Sequence, residues 1–204
     1  YQGHAAKNIA GAELLVFSSA IPEENPELQA ARAANIPVMK RSDFIGHLMA
    51  DRIGIAVAGT HGKTTTTGML AHILMEAELD PTVFVGGILP SLDGNGRFGE
   101  GDYFVVEADE YDHMFLGLKP EVAIITNLEH DHPDIFPDAA SYQDAFAQFA
   151  QLLPEGGHLV MCGTDAGTAV LRQNLNLANV EISTYAIGAE EGTQPNADYL
   201  ALDL

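Results

Sequence analysis

The sequence predicts an α/β fold, a parallel sheet covered by helices, on three observations. Short apolar runs alternate with helical patterns nearly from end to end, as in a chain of right-handed β-α-β crossovers. Most runs are β-branched and apolar at consecutive positions, so both of their faces are covered. One of them stops at a glycine-rich turn that opens a helix, "AGTHGKTT" (58–65).

The strand candidates, in order, are "LLVF" (14–17), "IPVM" (36–39), "IGIAVA" (53–58), "TVFV" (82–85), "YFVVEA" (103–108), "VAIIT" (122–126), "HLVM" (158–161) and "EISTYAI" (181–187). Between them, residues 64–77 place Met69, Leu70, Ile73, Leu74 and Ala77 on one helical face. Residues 141–153 do the same with Tyr142, Phe146, Phe149 and Leu153, with Ser141 as the expected cap. The Gly- and Asp-rich stretch "SLDGNGRFGEGD" (91–102) reads as an exposed loop. A domain boundary is expected at residues 50–53: the two strand–helix units before it are too few for a stable domain, and a fresh sheet begins after it.

The 204 residues are 47% hydrophobic, enough for a real core. No run approaches the ~18 to 20 apolar residues that span a bilayer, and no signal peptide opens the chain. The lack of an initiator Met and the closing alternation "YLALDL" predict a piece of a longer protein. One cysteine, Cys162, excludes an internal disulfide and suits a reducing cytoplasm. The net charge of -20 argues against nucleic acid as a partner. It also requires that any phosphate be held locally, by a loop, a lysine and a metal.

The turn after "IGIAVA" supplies such a site. Gly59 and Gly62 permit a backbone whose amides point inward at a helix mouth, where the dipole favours an anion. Lys63 reaches the β- and γ-phosphates of a nucleotide such as ATP, and the Thr64 hydroxyl can bind Mg²⁺. The stretch departs from G-x-x-x-x-G-K-[ST] in one place, with Val57 where the first glycine belongs. "YFVVEADEYD" then places Glu107, Asp109, Glu110 and Asp112 past an apolar strand, where ligands of open parallel sheets sit. Glu107, first after the run, is the expected metal ligand; Glu110 and Asp112 read as solvated loop charges. "VAIITNLEHDHPDIF" repeats the theme with Asn127, Glu129, His130, Asp131 and His132. Magnesium prefers oxygen, with an imidazole completing or ordering its shell; alternating acids and histidines also admit zinc.

With these segments in hand, the sequence resembles the Mur ligase family, on "GIAVAGTHGKTTTT", "VVEADEYD", "AIITNLEHDHPDIF", "GHAAKNI" and "LLVFSSAIPEENPEL", over residues 3 to about 190. That family carries an apolar residue at the position of Val57, which removes the mismatch. The resemblance implies a Rossmann-like UDP-substrate domain ending near residue 52, then a central P-loop ATPase domain over 53–204, with a C-terminal domain absent. It implies ATP on Gly59, Thr60, His61, Gly62, Lys63, Thr64, Thr65 and Asn127, and magnesium on Thr64, Glu107 and His132. Ser18 and Ser19 would lie near the UDP moiety, Gly86 and Gly87 near the muramoyl part. Lys63, Glu107 and His132 would carry the chemistry, and replacing Lys63 by alanine would abolish turnover with the fold intact.

The branch most resembled joins L-alanine to UDP-N-acetylmuramate in cytoplasmic cell-wall precursor synthesis. "SYQDAFAQFAQ" (141–151) lacks the lysine that other branches carbamylate, as that branch does. Two alternatives stay open: a ligase that attaches a tripeptide to the same sugar, and a P-loop regulatory ATPase without ligase activity. A piece lacking the C-terminal domain is expected to bind ligand without catalysis.

Overall fold

A computed structural model describes residues 1–188 and 197–201. The end of the closing alternation, 202–204, lies outside the described residues. The amino-terminal part contains β1 (Leu15–Phe17), α1 (Pro26–Ala33), β2 (Val38–Lys40) and α2 (Arg41–Met49), with β1 and β2 forming a two-stranded parallel sheet. The second strand starts later than expected because Pro37 offers no N–H for the ladder.

The main body contains β3 (Ile53–Ala58), α3 (Lys63–Glu76), β4 (Thr82–Leu89), β5 (Gly94–Arg97), β6 (Tyr103–Glu107), β7 (Val122–Ile125), α4 (Ala139–Ala150), β8 (His158–Cys162), α5 (Ala166–Asn174), β9 (Glu181–Ile187) and β10 (Tyr199–Ala201). Its eight strands run in the order β10-β9-β8-β7-β3-β6-β4-β5, parallel except for the antiparallel β4–β5 pair. The α/β expectation holds. Strand β3 lies between β7 and β6, with Val57 opposite both Glu107 and Ile124. That register puts three strand ends side by side at the carboxyl edge of the sheet.

Two expectations need correction. The stretch 91–102 is not all loop: it holds β5, which pairs with β4 at the sheet edge through a register shift. "GNGR" has no apolar alternation to announce a strand, and backbone pairing alone defines it. On α3, Met69 and Ile73 are exposed, and the buried positions are Thr67 and Ala71. The helix lies so close to β4 that a Cβ on Gly68 would meet the Leu89 methyls at 3.2 Å, so small residues face the sheet. Helix α4 is capped by Asp138 rather than by the expected Ser141, which sits at N3 and closes the capping box. It buries Tyr142, Phe146 and Phe149, with Phe149 stacked on Phe115 at 4.9 Å.

Helix α2 docks on the turn 111–117 through a close backbone approach. A Cβ on Gly46 would sit 2.0 Å from the Gly117 carbonyl oxygen. Gly46→Ala is therefore expected to lift α2 off that turn and cost about 1–3 kcal/mol, read by urea denaturation. Among the described residues no helix is long and apolar enough to cross a membrane.

Candidate functional site

The three strand ends carry the residues singled out in the sequence. From β3 the chain turns through Gly59 into α3. Gly59 has φ 128°, and a Cβ there would stand 2.1 Å from Thr126 Oγ1, so the loop lies flat against the end of β7. Residues past β7 staple it down. The Asn127 side chain accepts from the His61 N–H at 2.9 Å and donates to the His61 carbonyl at 3.1 Å. Thr126 Oγ1 donates to the same carbonyl at 2.6 Å, and Thr60 Oγ1 donates to the Glu129 carbonyl at 2.8 Å. The His61 ring is exposed, 3.9 Å from Glu129. Thr65 is also exposed, whereas Thr67 turns inward and donates to the Lys63 carbonyl at 2.8 Å.

The loop ends at Gly62, whose φ of 82° starts α3 with open space around it. Among the described residues, the N–H groups of Gly62, Lys63, Thr64 and Thr65 donate to no protein acceptor. Four unpaired amides at the mouth of a 14-residue helix are a seat for an anion. Lys63 folds over it, with Nζ donating to the Gly59 carbonyl at 2.6 Å and the Thr60 carbonyl at 3.3 Å.

Glu107 ends β6 and ties two neighbours together. Its Oε1 accepts from Thr64 Oγ1 at 2.9 Å, and its Oε2 accepts from the Gly86 N–H at 2.8 Å. Gly86 and Gly87 thus lie against the first turn of α3: a Cβ on Gly87 would meet the Thr64 methyl at 3.3 Å. His132, past β7, has φ 51° and sits edge-on to Tyr111 at 5.2 Å. Its backbone N–H bonds to Asp131, and this bond holds the Asp131 carboxyl below its ordinary range. No three His, Cys, Asp or Glu side chains cluster as a metal cage among the described residues. A cage of that kind is what zinc needs; magnesium is commonly held by one or two carboxylates together with phosphate oxygens and water.

The solvated-charge expectation for Glu110 is overturned. Glu110 is fully buried, with Lys63 Nζ 3.1 Å from Oε1 and 3.0 Å from Oε2. The approach to Oε2 is Coulombic only; that oxygen accepts no hydrogen bond. The Tyr142 hydroxyl donates to Oε1 at 3.3 Å and lies 3.0 Å from Thr60 Oγ1. Burial pushes the Tyr142 phenol well above its ordinary value. His132 Nε2 lies 3.8 Å from the same Oε1. Glu110 is thus the carboxylate that joins the loop lysine to the histidine of the third strand end. Its signal in the sequence was only its place three residues after Glu107.

Ser18 and Ser19 follow β1 and line a cavity with Arg41, Asp109 and Tyr111. Arg41 also lines the adjoining cavity that holds Gly86 and Glu107. Among the described residues its guanidinium has no carboxylate partner, and its contact is Met114 Sδ at 3.6 Å.

A parallel sheet whose central strand opens a helix through a phosphate-sized loop, with a carboxylate and a histidine on the two flanking strand ends, defines an α/β nucleotide-site architecture of the P-loop kind. The chain belongs to the Mur ligase family: the family's middle domain matches residues 57–201, and its catalytic domain matches residues 1–53. It is 47% identical over 189 residues to a UDP-N-acetylmuramate–L-alanine ligase of Bordetella petrii, covering 92% of this chain and 40% of the relative. Among solved structures it resembles the UDP-N-acetylmuramate-alanine ligase of Thermotoga maritima, with TM-score 0.74 and 31% identity, over 91% of this chain and 41% of that one. It also resembles the UDP-N-acetylmuramate:L-alanyl-γ-D-glutamyl-meso-diaminopimelate ligase of Neisseria meningitides, with TM-score 0.82 and 25% identity, over 95% and 67%. The chain spans 39–43% of the length of the first curated relatives it matches.

Proposed function

We propose that this chain is the ATP-binding part, with a portion of the UDP-sugar-binding part, of a cytoplasmic ligase that joins L-alanine to the carboxylate of UDP-N-acetylmuramate. Residues 1–52 belong to the sugar domain and 53–204 to the central domain. The observation that carries the reading is a pair of contacts at the loop with four unpaired amides, Thr64 with Glu107 and Lys63 with Glu110, the latter 3.8 Å from His132. These residues fit a nucleotide's phosphates and magnesium: the amides and Lys63 would offset phosphate charge, and Thr64, Glu107 and His132 would hold the metal. ATP supplies the phosphoryl group that turns the sugar's carboxylate into an acyl phosphate; Mg²⁺ held there would screen the two like-charged reactants. Gly59, Thr60, His61, Thr65 and Asn127 shape the nucleotide's seat. The amine of L-alanine then forms the C–N bond as inorganic phosphate leaves.

L-Alanine is favoured by the relatives of 40–47% identity. The TM-score of 0.82 to a tripeptide ligase keeps that larger amine as the second reading. An assay of the complete protein with UDP-N-acetylmuramate, ATP and either amine separates them. ADP release that needs both the sugar and L-alanine supports the first reading; release independent of the sugar makes the protein a regulatory ATPase.

The sugar's path runs from Ser18 and Ser19 to Gly86 and Glu107, with Gly87 beside them, and Arg41 borders both ends of it. The diphosphate lies chemically between the uridine and the carboxylate-bearing sugar, so it falls beside Arg41. Arg41→Ala is expected to raise the KM for UDP-N-acetylmuramate about tenfold and leave the KM for ATP within about twofold, in steady-state kinetics.

A further inference from the structure

Lys63 has three N–H bonds, and all are engaged: two on the loop carbonyls of Gly59 and Thr60, the third on Glu110. A phosphate oxygen arriving at this ammonium must displace one of them. The two carbonyls belong to the loop that seats the phosphate, so the displaced partner is Glu110. A carboxylate with no exposure and one oxygen already without a hydrogen bond is costly to leave unpaired. Two groups stand ready to receive it, the Tyr142 hydroxyl at 3.3 Å and His132 Nε2 at 3.8 Å.

We propose that Glu110 is a positioning residue that works by exchange: it holds the third N–H of Lys63 until a phosphate replaces it, then leans on Tyr142 and on the Nε2–H of His132, whose other ring nitrogen is left for the metal. Loading of the loop is thereby passed to the histidine at the end of β7, which becomes fixed only when nucleotide is present. The exchange rests on the nucleotide-site reading of the loop, and no bond is made or broken in it. It has a consequence that a packing role lacks. The carboxylate competes with the phosphate for Lys63, so removing its charge must tighten ATP binding while slowing turnover.

The test uses the complete protein with Glu110→Gln, which keeps the shape and loses the charge, and Tyr142→Phe, which keeps the ring and loses the hydroxyl. ATP affinity is measured by calorimetry with Mg²⁺, and turnover by ADP release. Glu110→Gln is expected to bind ATP about threefold to tenfold more tightly. Its kcat is expected to fall about tenfold or more, with the sugar KM within about twofold. Tyr142→Phe leaves Glu110 more dependent on Lys63 and is expected to weaken ATP binding about threefold. Unchanged or weaker ATP binding in Glu110→Gln overturns the exchange. If that variant does not fold, unchanged or tighter binding in Tyr142→Phe overturns it. A wild-type protein that binds ATP but forms no product with either amine sinks the ligase reading alone, because the affinity comparison still decides the exchange.

Discussion

Lys63→Ala is expected to lower ATP turnover about 10³-fold and to destabilise the fold by about 3–5 kcal/mol. The first effect follows from charge. In a chain of net charge -20 the loop lysine is a cation held in the phosphate loop itself, its ammonium on the Gly59 carbonyl. The second effect departs from the expectation that the fold is left intact. Glu110 is fully buried, and alanine would strand its carboxylate with only the Tyr142 hydroxyl as donor. His132 Nε2, 3.8 Å away, recovers part of that loss, yet breaking one side of a buried pair still costs more than removing both sides. The double variant Lys63→Met with Glu110→Leu is therefore expected to recover most of the stability and none of the activity. Urea denaturation beside an ADP-release assay reads both quantities. A Lys63→Ala protein as stable as wild type would mean that the ion pair is not buried as described.

The strand ends were legible because each apolar run stops abruptly at residues that a core cannot hold: Gly59 to Thr64, Glu107 to Asp112, and Asn127 to His132. What chain order does not contain is order across the sheet, and the β7-β3-β6 arrangement is what brings those ends together. The buried role of Glu110 was hidden for a local reason. The turn after it folds back on left-handed residues, Asp112 at φ 53° and His113 at φ 55°, conformations that non-glycine side chains rarely adopt and that no glycine there announced. Tyr142 read correctly as a core aromatic, but periodicity locates a ring and says nothing of its hydroxyl. The apolar stripe on α3 misled because the helix packs by close approach, so Thr67 and Ala71 face the sheet and the larger Met69 and Ile73 do not. Arg41 carried no motif. Its interest comes from standing, among the described residues, without a carboxylate partner between two cavities.

Glu107→Gln is expected to separate structure from chemistry at the second strand end. The carboxylate makes two contacts, one oxygen on Thr64 and the other on the Gly86 N–H. A glutamine satisfies both: its carbonyl accepts from Gly86, and its amide donates to the Thr64 hydroxyl, which can rotate to accept. The link between β6, β4 and α3 therefore persists, and stability should stay within about 1 kcal/mol. The negative charge is gone, and an amide oxygen is a weaker ligand for a hard divalent cation. We expect kcat to fall about 10²- to 10³-fold, with more Mg²⁺ needed to reach half-maximal rate. Alanine at the same position would lose both contacts, so a fall in stability with Glu107→Ala but not with Glu107→Gln marks the hydrogen bonds, and a fall in rate with both marks the charge. A Glu107→Gln protein with wild-type turnover and unchanged magnesium dependence would remove Glu107 from the metal site and leave it a strut between strands.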